Sequence, residues 1–178
     1  MRGETKSLLK LGLTLLCAIA GAGLLFAQLR IATRVGEEDA RIWFYDVSEK
    51  QLYAAPRDTI PPHSGIGGVK DDGVRAVVAA PKGEGSTASL RRIAYLETYT
   101  PELKRLLEEV RTARAQHRPL PFKVPSRDSD YFGTNTLVRR RNEPDWHAAS
   151  SAEGQRIMNE WRAWKSANGG TLVLCLPD

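Results

Sequence analysis

Cysteine and histidine are scarce in this chain. Its 178 residues include two cysteines and three histidines. Cys17 lies inside a long uncharged run and Cys175 lies near the carboxyl end, so we expect no intrachain disulfide and a fold held by packing. His63, His117 and His147 occur in separate loop-like contexts. Because they lack the close spacing typical of metal ligands, we predict no metal site.

The motifs of common catalytic sites are missing as well. The sequence contains no G-x-S-x-G, H-E-x-x-H, P-loop or C-x-x-C pattern. Asp145, His147 and Ser150 are close in sequence, but a catalytic triad is assembled in space, and this cluster has the character of a loop before a helix. We therefore predict no catalytic residue and no cofactor.

The chain also has only a small excess of positive over negative charge. From Arg30 onward the chain has 23 basic and 20 acidic residues. A nucleic-acid-binding surface requires a concentrated basic stripe, which this balance does not provide. We predict no nucleic-acid partner, and the sequence identifies no small-molecule substrate.

Charge is absent altogether between Leu11 and Leu29. At about 1.5 Å per residue, a helix of this length spans close to the roughly 30 Å hydrocarbon core of a bilayer. Arg2, Lys6 and Lys10 precede the run, and the positive-inside rule then places the amino terminus in the cytoplasm. The sequence thus predicts a cytoplasmic segment 1–10, a transmembrane helix 11–29, a juxtamembrane linker 30–40 and an extracytoplasmic domain 41–178.

The same run leaves two further hypotheses open. A basic segment followed by apolar residues also fits a cleaved signal peptide, which would make the domain a secreted protein. If the helix is retained, it contacts lipid along residues 11–29. Its small residues, spaced four apart, would then allow a second helix to approach closely. These candidate intramembrane packing residues are Ala18, Ala22, Gly23 and Ala27.

Beyond the linker, the patterns predict an α+β domain of about five strands and two helices. Strand-like segments begin at Arg41, Gln51, Val74 and Arg91, and a short edge strand is expected around Leu137. The apolar run Thr171–Leu176 predicts a central buried strand.

Two helices are predicted from capping residues and apolar spacing. Thr100 and Pro101 suit the cap and first position of one helix, and an apolar stripe from Leu103 to Ala113 follows. Ser150 and Glu153 have the spacing of a capping box that starts the second helix, which Asn168-Gly169-Gly170 is expected to end.

Candidate partner-binding residues lie in two places. Arg139-Arg140-Arg141 is the densest basic segment, and on a strand Arg139 and Arg141 would share one face while Arg140 takes the other. These arginines could bind acidic lipid headgroups or an acidic partner, or they could protect an edge strand from aggregation. Trp164 lies near the expected end of the second helix and is the aromatic residue most expected to be exposed.

Several short segments occur together in a characteristic order. They are Phe44-Tyr45-Asp46, Pro61-Pro62, Gly73-Val74-Arg75-Ala76, Tyr95-Leu96-Glu97, Tyr99-Thr100-Pro101-Glu102, Val138-Arg139-Arg140, Pro144-Asp145-Trp146 and Ser151-Ala152-Glu153-Gly154. The set resembles a family of uncharacterised, membrane-anchored small proteins of planctomycetes and related bacteria. The resemblance covers most of the region from Phe44 to Cys175 and implies a membrane helix with a similar ectodomain. Cysteines common in that family near Ala79-Ala80-Pro81 are absent here, and no functional residues are carried over.

Together these features predict a single-pass membrane-anchored protein with a non-catalytic binding or structural domain in the cell envelope. A pseudopilin-like assembly subunit of a secretion system is one alternative, although the apolar run lacks the early glutamate typical of pilin helices. A small extracytoplasmic enzyme is the other.

Overall fold

The computed structural model describes residues 40–120, 122–167 and 169–177. These residues form an α+β domain with seven strands, three α-helices and two 3-10 turns. In chain order the strands are β1 (Arg41–Asp46), β2 (Gln51–Pro56), β3 (Gly73–Pro81), β4 (Arg92–Tyr99), β5 (Thr136–Arg139), β6 (His147–Ala148) and β7 (Leu172–Leu174). The helices are α1 (Pro101–Ala115), α2 (Asp130–Asn135) and α3 (Ala152–Glu160), and the 3-10 turns are Ala88–Leu90 and Trp161–Ala163.

The described strands form one antiparallel sheet. Its order is β2-β1-β3-β4-β5-β6, and β7 pairs with β3 outside this path. Tyr45 of β1 lies opposite Val74 in the first part of β3, while Val173 of β7 lies opposite Ala80 in the second part. Because β4 pairs along the other side of β3, β1 and β7 lie end to end along one side of it.

Both faces of the sheet are buried, since successive strand residues alternate between them. The first face carries Tyr45, Val74 and Leu96 within one core cluster. The second face carries Phe44, and it carries Val138, which packs with Ile157 of α3. Helix α3 therefore packs on the second face of the sheet.

Helix α1 begins where the sequence predicts. The Thr100 hydroxyl accepts a hydrogen bond from the Leu103 N–H at 3.3 Å, and Pro101 occupies the first helical turn. Leu103, Val110 and Ala113 are buried. The predicted cap and the predicted apolar stripe are both confirmed.

Helix α3 begins one residue later than the predicted capping box. Ser151, rather than Ser150, accepts the N–H of Gly154 at 3.0 Å. The Glu153 carboxylate binds Arg140 at 3.1 Å. The capping-box prediction is wrong because the cap is Ser151, so the third helical position is Gly154 and Glu153 lies one position too early to bond back to the cap.

Two strand predictions are wrong about position in the sheet. β7 is not a central buried strand, because only Leu172 is buried while Leu174 is 57% exposed. β5 is not an edge strand, because β4 pairs with it on one side and β6 on the other. An apolar or basic run shows that a strand forms, but the number of neighbouring strands depends on distant segments.

The predicted segments 1–10 and 11–29, and the linker up to residue 39, lie outside the described residues. The candidate packing residues Ala18, Ala22, Gly23 and Ala27 lie outside them too. Within the described part of the chain, no helix combines the length and the apolar character required to cross a membrane.

Candidate functional site

A depression of about 510 Å³ opens beside the first face of the sheet. We call it the basic depression, because three of its lining side chains are the cations Lys50, Arg139 and Arg141. The remaining lining residues are Tyr45, Val47, Asn142, Glu143 and Pro144. The β1–β2 turn and the loop after β5 thus supply its walls.

Arg139 is the buried cation of this depression. It lies opposite Leu96 in the β4–β5 pairing, so its stem continues the first-face core. Its guanidinium carbon lies 4.8 Å from the centre of the Trp146 indole, and the residue is only 8% exposed. Burial lowers the pKa of Arg139. The side chain is therefore fixed in position and partly desolvated.

The hydrogen bonds of Arg139 are incomplete. Its Nη1 donates to the backbone carbonyl oxygen of Glu143. Its Nε is buried and has no acceptor among the residues that the structure describes. A buried donor without an acceptor costs free energy, so this guanidinium is in a state that an added acceptor would stabilise.

The β1–β2 turn positions Lys50. The buried Asp46 carboxylate accepts the N–H of Glu49 at 2.9 Å, the N–H of Gly67 at 3.2 Å and the hydroxyl of Ser48 at 3.1 Å. These bonds, led by the Glu49 N–H, lower the pKa of Asp46 to about 2. These bonds to the Asp46 carboxylate fix the conformation of the turn, and the exposed Lys50 lies at the end of that turn.

Arg140 is separated from Arg139 and occupied elsewhere. It contacts Glu160 through two hydrogen bonds of 2.7 and 2.6 Å. It also contacts Glu143 at 2.9 Å and Glu153 at 3.1 Å. The Glu160 contact is the largest of the interactions that raise the pKa of Arg140. This residue joins the loop after β5 to helix α3, and these carboxylates occupy its guanidinium.

The charge of the basic depression is positive. Its one carboxylate among the described lining residues belongs to Glu143, and Arg140 already binds that group. Arg141 and Lys50 are exposed. Tyr45, Val47 and Pro144 add apolar surface beside these cations. The arrangement can hold an anion that carries an apolar portion.

Trp164 lies apart from the residues that line this depression. It is half-buried, and the guanidinium carbon of Arg92 lies 4.3 Å from its ring centre. Helix α3 ends at Glu160, and not near Asn168 as expected. Trp164 directly follows the 3-10 turn Trp161–Ala163 that comes after the helix. Trp164 packs against a buried cluster that includes Leu172.

Six lining residues were not predicted as site residues, among them Tyr45 and Lys50. Tyr45 reads as a core residue of a hairpin strand, and Lys50 reads as an ordinary turn residue. Neither is within 85 positions of Arg139 in the sequence, and only the sheet order brings them together. Lys50 has a positive φ of 53°, which is uncommon for a residue other than glycine and which its residue type does not predict.

The histidines form no metal site with neighbouring residues. Among the described residues there is no group of three His, Cys, Asp or Glu side chains that could hold a metal ion. His63 lies 3.1 Å from the Tyr53 hydroxyl and 4.8 Å, centre to centre, from the Phe44 ring. Burial raises the pKa of Tyr53 to about 12 and lowers that of His63. This contact is part of the second-face packing.

A second depression of about 450 Å³ lies along α1. Its lining alternates in charge, with Glu102 and Glu109 beside Arg105, and the Tyr131 hydroxyl donates to Glu102 at 3.3 Å. It lacks a fixed, buried charge of the kind that Arg139 provides.

Comparison with protein-family models, with curated proteins and with solved structures finds no match to this chain.

Proposed function

We propose that this chain is a single-pass membrane protein whose extracytoplasmic domain binds an acidic partner of the cell envelope. The membrane part of the proposal rests on the uncharged run from Leu11 to Leu29 and the basic residues before it. The binding part rests on the basic depression. The domain binds its partner, and we assign no reaction to it.

One observation carries the binding proposal. Arg139 is 8% exposed, is stacked on Trp146, and keeps a buried Nε without an acceptor among the described residues. Fixed arginines stacked on aromatic rings are common where proteins recognise carboxylates and phosphates. Surface charges that only keep a protein soluble do not require a buried guanidinium.

The lining side chains favour binding over catalysis. Hydrolytic and transfer reactions use a nucleophile or a general base held near its target. Here the described lining residues offer cations and the hydroxyl of Tyr45, and the Glu143 carboxylate is engaged by Arg140. Such a set holds charge in place without supplying a base.

A pull-down of the full chain from native membranes tests this function. We would compare the tagged wild type with Arg139→Gln and with Arg111→Gln, because Arg111 is an exposed arginine that lines neither depression. The expected result is one stoichiometric partner with the wild type and with Arg111→Gln, lost with Arg139→Gln. Recovery of the chain alone in gentle detergent would contradict the proposal.

The orientation requires its own measurement. A reporter fused after Asp178 that is active only outside the cytoplasm should give signal, and one active only inside should not. The reverse pattern would overturn the extracytoplasmic placement and leave the binding experiment unaffected.

A further inference from the structure

We infer that the basic depression recognises a carboxylate that lies next to an apolar side chain of a partner polypeptide. The inference deepens the proposed function and depends on it for the class of partner. The carboxylate could be an acidic side chain or a chain terminus, because both present the same planar anion.

The guanidinium of Arg139 has one edge available for such an anion. Among the described residues only Nη1, of its three nitrogens, has an acceptor, the carbonyl oxygen of Glu143. The Nε and Nη2 nitrogens form the side edge of the planar group, and this edge matches the two oxygens of a carboxylate. Stacking on Trp146 at 4.8 Å holds the plane in a fixed orientation.

Access to that edge requires a small local movement. Nε is buried, so an acceptor reaches it only after neighbouring side chains move. Arg141 and Asn142 are exposed lining residues, joined to each other by a 3.2 Å hydrogen bond. Long exposed side chains reorient at little cost, so we expect them to move when an acceptor reaches Nε.

The size and walls of the depression favour more than a bare anion. Its volume of about 510 Å³ falls within the range of roughly 300–1,000 Å³ seen for ligand pockets. Tyr45 and Val47 form a wall beside the cations, and Pro144 forms part of the opposite loop. An apolar group attached close to the carboxylate would cover these surfaces.

The number of fixed cations favours a carboxylate over a phosphate. Phosphate sites usually combine several fixed donors, such as helix N-terminal N–H groups or grouped arginines. Of the cations that line this depression, Arg139 alone is buried, whereas Arg141 and Lys50 are exposed. One fixed guanidinium is matched by one carboxylate, and the two exposed cations add a salt-sensitive attraction.

Direct binding to the full chain in mild detergent tests the inference, with calorimetry as the readout. The probes are a short peptide ending in a free leucine carboxylate, an amidated peptide with an internal Leu-Glu pair, and an amidated peptide without acidic residues. Inorganic phosphate is the fourth probe. We expect the first two to bind and the uncharged peptide not to bind, with phosphate at least tenfold weaker than the peptides.

Variants locate the site. Losing a charge-assisted hydrogen bond should weaken binding by roughly 10- to 100-fold in Arg139→Gln, and Arg139→Lys should lose nearly as much because the planar edge is gone. Arg111→Gln is the matched control and should bind as the wild type does. Should Arg139→Gln not fold, Arg141→Gln provides the test, with binding a few-fold weaker and less sensitive to salt.

Several results would overturn the inference. They are equal binding of the uncharged peptide, phosphate as tight as the peptides, or equal loss in the Arg111 and Arg139 variants. Its failure differs from failure of the proposed function. Peptides that bind although the pull-down recovers no partner would contradict the function alone, whereas a partner lost with Arg139→Gln but no peptide binding would contradict the ligand class alone.

Discussion

Replacing Arg140 with glutamine should destabilise the domain by removing the link between the loop after β5 and helix α3. Arg140 makes a two-point contact with Glu160, at 2.7 and 2.6 Å, and single contacts with Glu143 and Glu153. Its side chain is 25% exposed, so solvent weakens each contact. Partly exposed pairs contribute about 0.2–1 kcal/mol each, which gives roughly 1–3 kcal/mol for Arg140→Gln.

Thermal unfolding of the full chain in mild detergent, followed by tryptophan fluorescence, measures this loss. A change of that size lowers the Tm of a chain this long by roughly 3–10 °C. Arg156→Gln is the matched control, because Arg156 also binds Glu153 but its side chain is 67% exposed. We expect a smaller change in the control, because solvent weakens the contact of the more exposed Arg156.

The effect should also depend on pH, with a defined sign. Hydrogen bonds from Arg156 and then Arg140 lower the pKa of Glu153 from its ordinary value of 4.5. A carboxyl group with a lowered pKa stabilises the fold above that value and loses its contribution as the pH falls through its folded-state pKa. The Tm difference between wild type and Arg140→Gln should shrink as the pH falls below 4.5 and through the lowered pKa of Glu153. A difference that matches the Arg156 control, or one that persists unchanged at low pH, would refute the reasoning.

Three further predictions concern the core and its turns. Leu96→Ala, at a fully buried site, should lower the free energy of unfolding by about 2–5 kcal/mol in a denaturant titration. Gly154→Ala should lower the Tm, because the new Cβ would lie 2.1 Å from the backbone oxygen of Ala148; an unchanged Tm would mean that the start of α3 can shift. Asp46, whose pKa is lowered to about 2 chiefly by the Glu49 N–H, stabilises the fold at neutral pH. The stability gap to Asp46→Asn should therefore narrow as the pH falls from 3.8 towards 2, and urea titrations across that range would check it.

Local sequence signals predicted an element well where one segment contains all the interactions that specify that element. Thr100 and Pro101 specify the start of α1 because the cap, the proline and the first N–H groups lie within one turn. The short helix α2, Asp130–Asn135, was not predicted, since six residues give too little apolar periodicity to detect. The two-residue strand β6 was missed because it is defined by its pairing with β5 alone.

The candidate site was predictable in part. The basic segment Arg139-Arg140-Arg141 contributes Arg139 and Arg141 to the basic depression. The predicted strand alternation does not explain why Arg140 is separate, because β5 ends at Arg139. The sequence could not show that Arg140 would meet Glu160, or that Arg139 would stack on Trp146, because both contacts depend on where the chain returns. Trp164 was chosen for its expected exposure on a helix that in fact ends at Glu160.

The sequence by itself indicated an α+β domain without a recognised catalytic motif, preceded by one uncharged run of the length that spans a bilayer. These properties follow from composition, periodicity and spacing, which need no knowledge of distant contacts. The tertiary structure alone decided that Tyr45, Lys50 and Arg139 line one depression and that the buried Nε of Arg139 has no acceptor among the residues described. The physical reason is that the order of strands in the sheet sets how far apart they lie. β1 and β5 are separated there by β3 and β4, and no pattern within one segment of the sequence encodes that arrangement.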